Sequence, residues 1–288
     1  MIDLHLHTTA SDGRLPPAAL VALAARVGLT IISITDHDTV AGLDEARRAA
    51  AAAGIRLVNG IEITAIEDGL DVHVLGYFFD PANSGLDALL RSQQAVRIDR
   101  IRAIGARLRA LGCTVDVDRI IDASNGRSVG RPALADALVA AGHATDRRDA
   151  FDRWLGEHRP AFVPRSGPSL ARACEVIVEA GGLSSLAHPG LLHRDDRLPA
   201  FAAAGLAALE ARHAEHTPEL EAYYRERAQA LGLAISGGSD FHGDHIDGDA
   251  NHGAGLGQVT LGSGDFDALE AKLTWSRAHL AERARSDS

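Results

Sequence analysis

Apolar runs that end abruptly in histidines and carboxylates recur along this chain, and that recurrence narrows the folds open to it more than any other feature. The first run, IDLHLHT, sets His5 and His7 two residues apart. On a strand, residues i and i+2 share a face, so both imidazoles project side by side from roughly 7 Å of backbone while Ile2, Leu4 and Leu6 turn the other way. TIISIT then leads into Asp36, His37 and Asp38, RLVNGIEIT carries Glu62, and DVHVLGY carries His73. GLSSLAHPG presents His188, and LAISGGSDFH presents Asp240 and His242. An ionisable group at the end of an apolar strand is costly to bury unless a metal or a charge partner compensates it. One such ending fits a surface turn; the repeated pattern points to a shared metal site.

Composition limits which metals and partners suit such a site. The two cysteines, Cys113 and Cys174, sit in apolar helical contexts without CxxC spacing, so neither a disulfide framework nor a zinc knuckle is expected. The ligands are therefore nitrogen and oxygen only, which suits zinc, manganese or iron. With 39 acidic against 29 basic residues and a net charge of -10, the chain lacks the basic stripe that extended duplex nucleic acid requires. A small phosphorylated ligand stays compatible, because bound divalent cations reverse the local field. No run approaches about twenty uncharged apolar residues, and the sequence opens on a strand rather than a signal peptide. No membrane partner and a cytoplasmic location are the expectations.

Strand and helix signals alternate over most of the chain. A strand over 2–7 is followed by the amphipathic run AALVALAARV, opened by Pro16 and Pro17 and closed by Gly28, then a strand over 30–35 and a helix over 42–53. The alternation resumes with SLARACEVIVEAGG as a helix and LSSLAH, LAALEAR and LAISGGS as strands, with helices near 196–204 and over 218–231 between them. Polar residues gathered at strand exits predict an α/β fold, a parallel barrel with its site at the C-terminal strand ends. An open doubly wound sheet competes, but no GxGxxG follows the first strand and the ligands come from strand ends spread over the whole chain. Between residues 81 and 165 the pattern turns helical, so 1–80 and 166–288 are read as two parts of the barrel and 81–165 as an inserted helical domain covering the site. Arg127, Arg131 and Arg165 in that insertion are candidates for gripping phosphate. Plain solvated helix charges remain the alternative for most of its arginines.

DLHLHTTASDG, TDHDTVAG, NGIEIT, HVLGY, AHPG and GSDFHG, in that order along nearly the whole chain, resemble the PHP (polymerase and histidinol phosphatase) phosphoesterases. The HTTASDG spacing, the single inserted helical domain and the GRPALADAL segment look most like the branch of nucleoside 3',5'-bisphosphate phosphatases, some of which also trim short RNA from its 5' end. The resemblance implies a distorted seven-stranded (β/α) barrel, TIM-like, with two or three divalent ions, manganese, iron or zinc. It also implies a ligand set: His5, His7 and Asp240 with a bridging Glu62 for one ion, Glu62, His73 and His188 for the second, and Asp12, His37 and His242 for the third. One departure is Ala133, where relatives often carry a histidine after Arg-Pro.

Clustered divalent ions provide what phosphate ester hydrolysis needs, a nucleophile at neutral pH and neutralisation of the phosphoryl oxygens, with no serine or cysteine nucleophile. The segment LEARHAEHTPE adds Glu210, His213 and His216 at another strand end; His213 and His216 are candidate phosphate ligands, and His213 is also a candidate proton donor. Asp36 and Asp38 flank His37 as candidate orienters, with Asp38 placed beside His213 among the catalytic residues. His252 is a candidate for the cleft rim. Three readings follow: a phosphatase on nucleotides with a terminal 3'-phosphate, active also on short RNA; a phosphatase for histidinol phosphate or another small metabolite; and a non-catalytic metal-stabilised module.

Overall fold

Seven strands hydrogen-bond in chain order into one sheet: β1 (Ile2–Leu6), β2 (Ile31–Ile34), β3 (Arg56–Glu67), β4 (Leu70–Tyr77), β5 (Leu183–Leu186), β6 (Ala208–Arg212) and β7 (Ala234–Gly237). The computed structural model describes residues 1–124, 128–243 and 255–286. The sheet curls back on itself beyond β7, where Leu6 bridges Phe241 and the His7 N–H donates to the Phe241 carbonyl at 3.0 Å. Helices α1 (Pro17–Val27) and α2 (Leu43–Ala53) connect the first three strands. Pro17 occupies the first position of α1, where its missing N–H costs nothing, and Gly28 ends the helix at φ 85, a left-handed conformation that a residue without Cβ adopts freely.

The barrel is not all parallel, contrary to the sequence expectation. β4 runs antiparallel to both β3 and β5, and no helix separates it from β3. The link is the two-residue turn Asp68–Gly69, with φ of 50 and 80, the positive pair that matches the twist of a tight hairpin. Tyr77, the last residue of β4, therefore faces Leu183, the first of β5. The chain therefore leaves β4 at the end of the sheet where the parallel strands begin.

Two compact units result, Met1–Leu89 with Pro168–Ser288, and Leu90–Gly167. The divide falls inside α3 (Ser84–Ala110), later than residue 81. The second unit also contains α4 (Val117–Ser124), α5 (Arg131–Ala140) and α6 (Arg147–Ala150), which continues as a π-helical turn over Phe151–Leu155. Ile101, Ile104, Leu108, Leu134, Leu138 and Leu155 form its own buried core. In the first unit follow α7 (Leu170–Glu179), α8 (Pro189–Leu192), α9 (Leu198–Ala203), α10 (Pro218–Leu231) and α11 (Ser263–Ser286). α11 is absent from the elements expected above, yet Phe266, Leu269 and Leu273 recur at helical spacing and join Ile2, Val58 and Tyr77 in one buried cluster. No helix among the described residues is long and apolar enough to cross a membrane.

Close packing between β2 and β3 depends on Gly60. A Cβ there would collide with the Ser33 hydroxyl and lie 2.6 Å from the Ile34 carbonyl oxygen, which is backbone and cannot step aside. Gly60→Ala should lower stability by about 1–3 kcal/mol, as overpacking of a well-filled interior does. Urea denaturation reads the effect; an unchanged midpoint contradicts this account of the β2–β3 contact.

Candidate metal centre

Local devices hold the candidate ligands within strands or just beyond their ends. After β1 the chain turns through Thr8–Gly13, and buried Asp36 pins that turn by accepting from the Thr8 N–H at 2.8 Å, the Thr8 hydroxyl at 2.7 Å and the Ser11 hydroxyl at 2.6 Å. Asp12 is thereby brought back over the strand ends. After β2, His37 bridges to Glu62 on β3, the Asp38 N–H donates to the Glu62 carbonyl at 2.9 Å, and the Asp38 carboxylate accepts the Thr64 N–H at 2.9 Å. Thr64 in turn stands opposite His73 in the β3–β4 ladder. His188 and Asp240 follow β5 and β7 on left-handed backbone, at φ of 27 and 53. Strain of this kind persists only where the surroundings over-determine it, and it gathers at functional sites.

At the centre lies Glu62, 1% exposed. Its Oε2 is 3.0 Å from His37 Nδ1, 3.3 Å from His7 Nε2 and 3.4 Å from His5 Nε2. Its Oε1 is 2.8 Å from His73 Nδ1 and 3.2 Å from His188 Nε2. Asp240 Oδ1 approaches His7 Nε2 at 3.1 Å and His5 Nε2 at 3.3 Å. Asp12 reaches His242 Nε2 at 3.4 Å and His37 Nε2 at 3.6 Å. Among the described residues, three of the four groups able to hold a cation lie here: His5 with His7 and Asp240; His37 with Glu62 and His73; and His7, Asp12, His37 and His242. The expected division of ligands differs in detail, since His7 and His37 each reach two groups and His188 meets the cluster through Glu62.

The side chains present fit divalent metals. Both ring nitrogens of His7, and Nδ1 of His37 and His73, are buried without a hydrogen-bond partner, a costly state for lone pairs unless an ion accepts them. Burial alone would raise the carboxylates, but His37, His73 and His5 hold Glu62 well below its usual range, and His37 and His242 do the same for Asp12. His37 is pulled down to about 3, chiefly by burial, and stays neutral. Burial opposes charge on His7 too, yet Asp240 and Glu62 overcome it and lift His7 to about 10.

Other sequence candidates take varied places. His213 is buried; its Nδ1 accepts the Glu215 N–H at 3.2 Å, so in the neutral ring Nε2 carries the proton, 3.5 Å from Asp240 Oδ2. That tautomer makes His213 a donor at the site, although with His5 and Glu210 it also forms a group close enough to hold a cation. His216 spends both nitrogens on backbone, Nδ1 donating to the Ala211 carbonyl at 2.8 Å and Nε2 accepting from Gly190 at 3.2 Å, which leaves neither for phosphate. Asp36 and Asp38 orient the site through the turn and strand contacts above. In the second unit, Arg131 donates to the Leu155 carbonyl at 3.2 Å and lies over the Phe151 and Phe162 rings, and Arg165 is half-buried. Arg127 and His252 lie outside the described residues. Cys113 and Cys174 are both free and buried.

Two buried carboxylates carry more of the site than the sequence reading assigned them. Asp3, pushed up to about 6 by burial, accepts the Ser239 N–H at 3.0 Å and the Ser239 hydroxyl at 2.7 Å, fixing the residue before Asp240. Its place two residues before His5 on the alternating strand was the available signal. Glu210 contacts His5 Nδ1 at 3.0 Å and accepts the His188 N–H at 2.7 Å.

Comparison with known proteins decides the family. The PHP domain model matches residues 3–156. The chain belongs to the PHP family. It is 36% identical to a 5'-3' exoribonuclease of Haemophilus influenzae over 83% of this chain and 89% of that one. A 3',5'-nucleoside bisphosphate phosphatase of Chromobacterium violaceum is 35% identical over 84% of this chain and 87% of its own. Among solved structures, one described as a metal-dependent phosphoesterase from Bifidobacterium adolescentis superposes with a TM-score of 0.84 at 32% identity, covering 94% of this chain and 96% of the other. The PHP site described here is thus that of a metal-dependent phosphoesterase.

Metal uptake by this PHP centre should displace protons. His7, lifted to about 10, and His5, held well above the ordinary imidazole range by Glu210, Asp240 and Glu62 against its burial, are protonated at pH 7 without metal and must be neutral to ligate. Apparent affinity therefore strengthens as pH rises toward that value, about tenfold per unit for each proton released. Titration calorimetry of zinc into metal-free protein in buffers of different ionisation enthalpy measures the release; heats independent of the buffer contradict it.

Proposed function

We propose that this protein hydrolyses the 3'-phosphate ester of nucleotides that also carry a 5'-phosphate, nucleoside 3',5'-bisphosphates above all. Similarity to the bisphosphate phosphatase of C. violaceum, joined to a filled set of ligand positions, carries the reading. Short RNA with a 5'-phosphate follows from the H. influenzae relative, because both substrates share one scissile bond, the P–O3' ester of a 5'-phosphorylated nucleotide.

Two or three divalent ions, manganese, iron or zinc, held by His5, His7, Asp12, His37, Glu62, His73, His188, Asp240 and His242, would lower the pKa of water and neutralise the phosphoryl oxygens. The chain's own groups do the rest. Glu62 and Asp240 keep the imidazoles converged. A water oxygen bonds to phosphorus and its proton passes to solvent, the P–O3' bond breaks, and the departing O3' takes the Nε2 proton of His213 in its imidazolium form, leaving a neutral ring that solvent reprotonates. Charge-assisted donors to the second phosphate are worth about 1.5–3 kcal/mol per contact.

The test compares adenosine 3',5'-bisphosphate with 3'-AMP and histidinol phosphate. The bisphosphate should lead by about tenfold or more in kcat/KM, since about 1.4 kcal/mol is a factor of ten. Equal values, or preference for histidinol phosphate, would overturn the substrate assignment. His213→Gln should lower kcat on the bisphosphate by about 10²–10⁴-fold. On 4-nitrophenyl phosphate, whose leaving group needs no proton, the loss should be far smaller; equal losses on both substrates would remove the proton-donor role.

A further inference from the structure

We infer that Glu210 is a positioning residue that sets the ring orientation of His5 and the backbone conformation of His188 together, so that one buried carboxylate aligns two ligands arriving from different strands. The inference rests on the metal centre proposed above and is independent of the choice of substrate.

Glu210 is fully buried on β6, in register with Ser236 of β7 just before the ladder slips, and its two oxygens have different work. Oε1 lies 3.0 Å from His5 Nδ1, and Oε2 accepts the His188 N–H at 2.7 Å. A carboxylate only accepts, so the His5 proton belongs on Nδ1 and the lone pair on Nε2. That Nε2 is the atom facing Glu62 Oε2 at 3.4 Å and Asp240 Oδ1 at 3.3 Å, where a cation would sit. On the other side, His188 stands at φ 27 and ψ 58, a conformation rare for a residue with a Cβ, and the Oε2 contact ties its N–H in that geometry. Its ring thereby reaches Glu62 Oε1 at 3.2 Å. Partners that fix the free nitrogen of a ligating imidazole determine both tautomer and ring orientation.

Only a carboxylate of this length serves both contacts. In Glu210→Gln the amide nitrogen must face one of them. Turned to His5, it demands a lone pair on Nδ1 and moves the proton to Nε2, which abolishes ligation. Turned to His188, it sets donor against donor. Aspartate is too short to span both.

Metal competition against a chelator, run without substrate, reads the consequence directly. Glu210→Gln should weaken zinc or manganese affinity by about 10–100-fold, and kcat on the bisphosphate should fall while KM changes little. Nitrogen-15 spectra of the histidine rings in the zinc-loaded wild-type protein should show His5 protonated at Nδ1. Wild-type metal affinity in Glu210→Gln, or a His5 proton on Nε2, would overturn the inference. Should the variant fail to fold, the wild-type ring spectrum decides alone. Failure to cleave the bisphosphate with these metal readouts intact would overturn the substrate reading and leave Glu210 standing.

Discussion

One carboxylate organises this protein: Glu62 meets five imidazoles, from β1, the exit of β2, β4 and the exit of β5, within 3.4 Å. Without that charge, offsetting the desolvation of these ring nitrogens would fall to Asp12, Asp240 and Glu210, and His73 would lose its close carboxylate partner. With it, strands distant in sequence acquire a common point of attraction in a medium where water screens weakly. The barrel has to close for these imidazoles to meet, and the chemistry exists only once it has. Fold and site are in this sense the same event.

Around that core runs a shell of acidic residues whose visible contacts are with backbone and hydroxyl groups. Asp36 gathers the turn carrying Asp12, Asp38 fastens β3 beside Glu62, and Asp3 holds the segment leading to Asp240. Burial pushes Asp3 and Asp36 upward, the signature of carboxylates kept out of water by the structure and retained for their hydrogen bonds. Loops that deliver ligands are thus stitched to neighbouring strands, which suits a site where small displacements are felt strongly.

The pairing of His5 with His7 was legible in the sequence because strand alternation is a local rule: the two share a face whatever the rest of the chain does, and their ring centroids lie 5.1 Å apart despite a register shift within β1. Strand direction was not legible in the same way, since alternation reads alike up or down. The cue for β4 lay instead in Asp68–Gly69 between two apolar runs, a hairpin signal absent from the elements expected from the sequence. Nor can a sequence tell His213 from His216. Both follow β6 closely, and only folding shows that one ring turns toward Asp240 while the other is consumed by Ala211 and Gly190. Glu210 was visible as a charge in an apolar strand, but its partner is 205 residues away.

The downward run of β4 makes the ring of ligands mechanically uneven. His73 is woven into a ladder on both sides, paired with Thr64 of β3 and giving its carbonyl to the Ala187 N–H at 3.0 Å, and Glu62 shares the same hairpin. Asp12 and His242 instead ride on connections outside any strand. Such connections yield more easily than ladders. The centre therefore has one wall woven into the sheet and one built from connections, and an ion held by Glu62 and His73 would rest against ladder backbone, whereas one held by Asp12 and His242 would depend on the contacts, Asp36 foremost, that fasten those connections.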